Sequence, residues 1–193
     1  MLARMFNLAL VLVLALSGCS TTKTEVVTEK ETELHNVNFV IGNITSIYDI
    51  KLSLGKIDFE NAIFKEDWFS SLSYQYTEDR RYIVGSAKAG SFIAITSTKA
   101  QDASGTPLGT FTPCNQTLVF QLPYDALNVY VTDVNYQWNN VSITPIYSNK
   151  IEEAMIAFKT SYIKQAAFRQ LSAELYKDCE TLNPNPLIMT RPI

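Results

Sequence analysis

The sequence is poor in the groups on which most enzymes depend. It has one histidine, His35, in 193 residues. That scarcity removes most Ser-His and Cys-His mechanisms, and most zinc sites, which take several imidazoles or thiolates. The three cysteines include no Cys-x-x-Cys pair, so thioredoxin-like redox work has no support. No Asp-x-Asp-x-Asp-Gly calcium loop occurs, and neither does a G-x-x-x-x-G-K-[ST] or G-x-G-x-x-G phosphate loop or a G-x-S-x-G elbow. Lys and Arg number 16 against 19 Asp and Glu, a net charge of −3. They are scattered, without the basic patch that nucleic-acid binding needs. No catalytic constellation, cofactor, metal site or nucleic-acid partner is therefore expected. Long apolar runs are also missing beyond Leu8 to Leu16, which is shorter than the ~20 residues that a spanning helix takes.

What is present at the N-terminus is an address. Arg4 precedes the apolar run, and small residues follow it, the order of a secretory signal. The run ends in Leu16-Ser17-Gly18-Cys19, which resembles the lipobox of bacterial lipoproteins. The resemblance implies that residues 1–18 are removed and that Cys19 becomes the first mature residue. It also implies that Cys19 carries acyl chains, palmitate among them, that tether the protein to a membrane. One chain gives marginal binding, and two or more give stable anchoring. By analogy with the sorting of such proteins, Ser20 after the lipidated cysteine favours the outer over the inner membrane and a periplasm-facing or surface-facing body.

Residues 19–35 are rich in Thr and Glu, with little to bury, and are expected to form a flexible tether with a solvated His35 at its boundary. At up to ~3.5 Å per residue the tether spans tens of ångströms. Cys114 and Cys179 remain once Cys19 is used. An even pair outside the cytosol suggests one disulfide, contributing roughly 4 kcal/mol in the chain-entropy model. The alternative is two buried free thiols.

Residues 36–180 are expected to be a single α+β, mostly β domain: an antiparallel β-sandwich of seven or eight strands with a long C-terminal helix. Tyr48, Ile50, Leu52 and Leu54 alternate with polar residues, as do Val37, Phe39 and Ile41 and then Leu72, Tyr74 and Tyr76. Phe92 to Ile95 is apolar enough for a central strand, and Val129 to Trp138 is the longest β run. A short helical turn is expected over Phe59 to Phe69. From Asn149, a credible N-cap with Glu152 three residues on, helical spacing of Ile151, Met155, Phe158 and Tyr162 predicts a helix over about 150–177. Residues 181–193 form a proline-containing tail, either a loose end or a strap docked through Leu187 and Ile188.

Three acidic pairs are the remaining source of chemistry: Glu66-Asp67 beside Trp68, Glu78-Asp79, and Glu152-Glu153. Facing carboxylates could hydrolyse a glycoside, but these pairs fall in turns or a helix start, where solvated caps are the plainer reading. Tyr130, Tyr136 and Trp138 share parity, so without a bulge they line one strand face, as core or as a surface for sugars or a protein. The sequence thus supports a non-catalytic envelope lipoprotein that docks to another envelope protein or helps assemble a complex. The alternatives are a glycan- or peptidoglycan-binding module using the aromatic face and, third, a carboxylate hydrolase.

Overall fold

The structure is a computed structural model that describes residues 35–102, 104–113, 116–138, 142–173 and 187–191. The chain divides at Glu33/Leu34, and the folded unit described here lies after that point. It is a mostly-β, antiparallel half-barrel. Its strands are β1 (Asn36–Asn43), β2 (Tyr48–Asp58), β3 (Ile63–Glu66), β4 (Ser73–Tyr76), β5 (Tyr82–Lys88), β6 (Phe92–Gln101), β7 (Pro107–Pro113), β8 (Thr117–Gln121), β9 (Asn128–Trp138) and β10 (Ser142–Ser148). One helix, α1 (Ile151–Ala157), then precedes β11 (Lys164–Gln165), β12 (Phe168–Ala173) and β13 (Leu187–Arg191).

The sheet runs β2-β3-β12-β8-β6-β7-β13-β10-β9-β1-β5-β4, and β2 also pairs with β6. That extra pairing closes β2, β3, β12, β8 and β6 into a small ring. The rest of the sheet curls back over the ring, so that distant strands meet face to face. Phe39 on β1 meets Phe120 on β8 at 5.5 Å between ring centroids, and Tyr48 on β2 meets Tyr136 on β9 at 4.9 Å.

Strand parity distributes apolar side chains among three cores. Ile93 and Ile95 of β6 and Leu118 and Phe120 of β8 join Phe39, Ile41, Val131 and Tyr136 in the main core. The alternate residues Ala94 and Val119 face the other way, into the ring, against Phe64. β6 is therefore buried on both faces over most of its length, which explains its unbroken apolar sequence. A third cluster joins Val40, Tyr82 and Tyr130 to Ala154 of α1 and Ile163.

The long C-terminal helix expected over 150–177 is not formed. The helix ends after one short stretch, and the chain turns at Lys159 with φ 50°. Ala166 and Phe168 then point inward while Ala167 and Arg169 point out, which is strand alternation. The edge of β8 accounts for this: β12 pairs with it from Phe168↔Phe120 to Leu171↔Thr117. Backbone pairing with an otherwise open edge outweighs local helix preference. The N-cap is Lys150, without a side-chain cap bond, in place of the expected Asn149, whose Oδ1 nevertheless accepts from Ile151 N at 3.1 Å. Phe59 to Phe69 likewise holds β3 in place of the expected helical turn, because Ile63 to Glu66 pair with Asp58 to Gly55.

The described part of the tail docks through Leu187 and Ile188, as a strand. Leu187–Arg191 forms β13, inserted between β7 and β10. Among the described residues the structure shows no disulfide, so the expected Cys114–Cys179 bridge is not borne out. Both cysteines lie outside the described residues, as does Cys19. Among the described residues no helix is long and apolar enough to cross a membrane.

Candidate docking surface

β2 and β4 are the two ends of the sheet, and they face each other across a seam. β2 pairs with β6 from Tyr48 to Gly55 but meets β3 only from Gly55 onward. Its opposite edge from Tyr48 to Leu54 has no strand partner among the described residues. β4 pairs with β5 alone. Tyrosine hydroxyls satisfy the bare edge of β2. Ile50 N donates to Tyr76 Oη at 2.5 Å, and Leu52 N donates to Tyr74 Oη at 3.2 Å. Both hydroxyls lie 3.3 Å from Ile50 O, which accepts from them. Tyr74 and Tyr76 are two residues apart, so parity sends both rings across the same gap.

One charged pair latches the seam, at the β4–β5 turn. Arg80, in the β4–β5 turn at φ 58°, pairs with Asp49 of β2 and donates to Ser46 O at 3.2 Å. Its guanidinium stacks 4.4 Å over the Tyr76 ring. Farther along β2, Lys51 Nζ donates to Glu66 Oε1 at 3.0 Å and lies 5.6 Å from the Trp68 ring centroid. Burial, ahead of the nearby charge of Asp49, pushes the Tyr76 hydroxyl up to about 12, so it stays protonated as a donor. Beside the Arg80–Asp49 pair lies a groove of about 420 Å³ lined by Asp49, Ile50, Lys51, Tyr74, Tyr76 and Lys99. Two unpaired edges held together by side chains can accept a strand from another chain.

The residues singled out from sequence fall elsewhere. A bulge in β9, opposite Val40 to Gly42 of β1, shifts the parity on which the aromatic row depends. Tyr130 enters the cluster under α1, while Tyr136 enters the main core. Both are buried. Tyr136 Oη lies 3.0 Å from Thr98 Oγ1. The side chain of Trp138 lies outside those described. Tyr130 is instead part of a buried polar network. Its hydroxyl donates to Asp133 Oδ1 at 2.7 Å and accepts from Lys150 N at 2.9 Å. Arg81 holds the other oxygen of Asp133 at 2.5 Å and reaches Glu153 at 3.3 Å. Burial, and then the Asp133 carboxylate, push the Tyr130 hydroxyl well above its ordinary value.

The acidic pairs stand in separate local settings. Glu66 accepts from Ser53 Oγ at 2.7 Å. Asp67 accepts from Phe69 N and Ser70 Oγ, and those bonds hold its carboxyl below the usual range. Asp79 is lowered in the same way by Thr77 and Arg81 N. Among the described residues no three His, Cys, Asp or Glu side chains gather as a metal site. His35 Nε2 lies 3.3 Å from Ala126 O, at the point where the chain joins the sheet. The seam itself left one trace in the sequence, the Tyr-x-Tyr spacing of Tyr74 and Tyr76. No known protein family, curated protein or solved structure matches this chain.

Proposed function

We propose that the protein is a non-catalytic, lipid-anchored envelope module that docks to another envelope protein through the seam between β2 and β4. The seam carries this reading, because β4 offers a bare outer edge, β2 an edge held only by tyrosine hydroxyls and a loop amide, and a groove lies between them. The ligand that fits is an extended segment of a partner, which would pair with the outer edge of β4. Strand addition of this kind draws affinity from backbone bonds and specificity from alternate side chains. Lys99 beside the groove favours a segment with an acidic residue at the matching position, while Lys51 is already paired with Glu66. The two walls of the half-barrel act as a sandwich-like body that holds the seam rigid. Cys19 and the tether after it keep the module near the membrane, where its partner would be met at high effective concentration.

The test is co-purification and crosslinking of the protein from its native envelope, with Cys19→Ala as control. A stoichiometric protein partner that is lost in Cys19→Ala is the expected result. Recovery of glycan in place of protein would favour the ligand-binding alternative. Its most suitable surface is the 350 Å³ groove that includes Phe59, Tyr124, Lys164 and Arg169.

A further inference from the structure

Six exposed apolar side chains lie toward one end of the sheet, the end where β1 begins, while Ile156 of α1, 78 % exposed, lies apart from them near Tyr82. β1 begins at Asn36, paired with Lys88, and Ala89 N donates to His35 O at 2.9 Å. Next to that point Tyr124 crosses Gly90, so closely that a Cβ there would lie 2.1 Å from its hydroxyl. Leu127 O accepts from Asn38 N. Tyr162 comes two residues before Lys164, which is paired with Val129. Phe59 meets Phe92 edge to face at 6.1 Å. Trp68 and Phe69 fill the loop between β3, whose Glu66 pairs with Gly55, and β4, whose Ser73 pairs with Ser86. Phe69 is fully exposed, and the other five are 55–70 % exposed. At the opposite end Ile44, Ile47, Leu108 and Ile146 are 39–54 % exposed.

We infer that this end of the domain rests on a lipid bilayer surface, with Trp68 and Phe69 inserted at the level of the headgroups. The inference depends on the lipid-anchor reading of Cys19. Trp and Tyr favour the membrane interface because each joins an apolar ring to a polar tip. The loop is built to present its rings: Asp67 accepts from Phe69 N at 3.1 Å and from Ser70 Oγ at 2.6 Å, which fixes the turn with both aromatics outward. Sixteen residues separate Cys19 from Asn36 in the sequence. An anchor so near in sequence holds the apolar end at high local concentration over the bilayer, so a weak surface contact becomes persistent. The far end and the seam latch at Arg80 then face away from the membrane.

The test uses the full chain, isolated from an envelope fraction and placed in vesicles of phosphatidylethanolamine and phosphatidylglycerol with brominated acyl chains. The emission of Trp68 is read as the difference between the parent and Trp68→Phe, a change in an exposed loop. A second variant adds Leu108→Trp to Trp68→Phe and places the reporter at the far end. The inference requires that Trp68 lose most of its emission to bromine and that the Leu108→Trp reporter keep its own. A chain that floats with the vesicles while Trp68 keeps its emission overturns the inference and leaves the anchor standing. Equal flotation and quenching in Cys19→Ala would support the bilayer contact and remove the anchor reading. A full chain that does not float would overturn both.

Discussion

At the scale of single residues, side-chain oxygens placed where backbone partners are missing complete the fold. Tyr76 is the clearest case, since its hydroxyl is the acceptor for Ile50 N. Tyr76→Phe leaves that amide without its acceptor and is expected to cost about 1–3 kcal/mol. Denaturant unfolding would measure the loss, and faster exchange of the Ile50 amide would locate it. Asp133 is a second case. It is fully buried between Arg81 and Tyr130, and Gly42 makes room for it: a Cβ at Gly42 would lie 1.8 Å from Asp133 Oδ1. Gly42→Ala must therefore push the carboxylate off Arg81. It is expected to lower stability by about 1–3 kcal/mol, with Asp133→Asn costing about 1–3 kcal/mol as Arg81 keeps only its exposed partner Glu153. Equal stability of Gly42→Ala and the parent in thermal unfolding would show that the network is not tightly packed.

Asp58 gives the pH dependence at this scale. Asn61, and then Lys65, donate to its carboxylate and hold it down to about 2, from an ordinary value of 3.8. A depressed carboxylate contributes fully above its unfolded value and loses that contribution as pH falls through the folded one. The turn from β2 to β3 is therefore expected to loosen between about pH 4 and pH 2. Carbon chemical shifts of Asp58 would follow its titration. A midpoint near 4 would contradict the arrangement.

At the scale of elements, β13 has the largest consequence. It lies between β7 and β10, and its removal would uncover β7 from Thr110 to Pro113 and β10 at Ser142 and Ile143. A chain ending before Leu187 is expected to unfold at lower temperature and to self-associate, the usual fate of exposed edges. Sedimentation and thermal scans would show both effects, and a monomer of unchanged stability would mean that β7 and β10 hold without it. How legible these elements were follows from how local their causes are. Strands with one buried face, such as β1 and β2, announce themselves by alternation at Val37, Phe39, Ile41 and at Tyr48 to Leu54. β6, buried on both faces, was legible as an apolar run. β12 was hidden, because Ala166 to Leu171 fit a helical stripe and a strand equally well. Only the open edge of β8, far away in sequence, decides between them. The split of Tyr130 from Tyr136 was hidden for a similar reason: the bulge in β9 arises from its pairing with β1. The seam was the least visible, since a pair of unpaired edges is a property of topology and has no local signature beyond Tyr74 and Tyr76.

At the scale of the whole molecule, the sheet curls until its two ends nearly meet and stops short of closing. A closed barrel would remove every edge. Here Arg80, Tyr76 and Tyr74 hold the ends together with side chains, an arrangement that can exchange for a partner strand without unfolding either wall. The described chain enters the sheet at His35, and the loop with Trp68 and Phe69 borders the seam through Lys51.

The most direct measurement is site-specific crosslinking from Gln75, an exposed residue of β4, with a photoreactive side chain in the native envelope. Leu108, at the far end of the sheet, serves as the comparison site. Docking at the seam predicts one protein crosslinked from Gln75 and not from Leu108, with the crosslink weakened in Tyr74→Ala. Co-purification of a partner that crosslinks from Leu108 and never from Gln75 would contradict it.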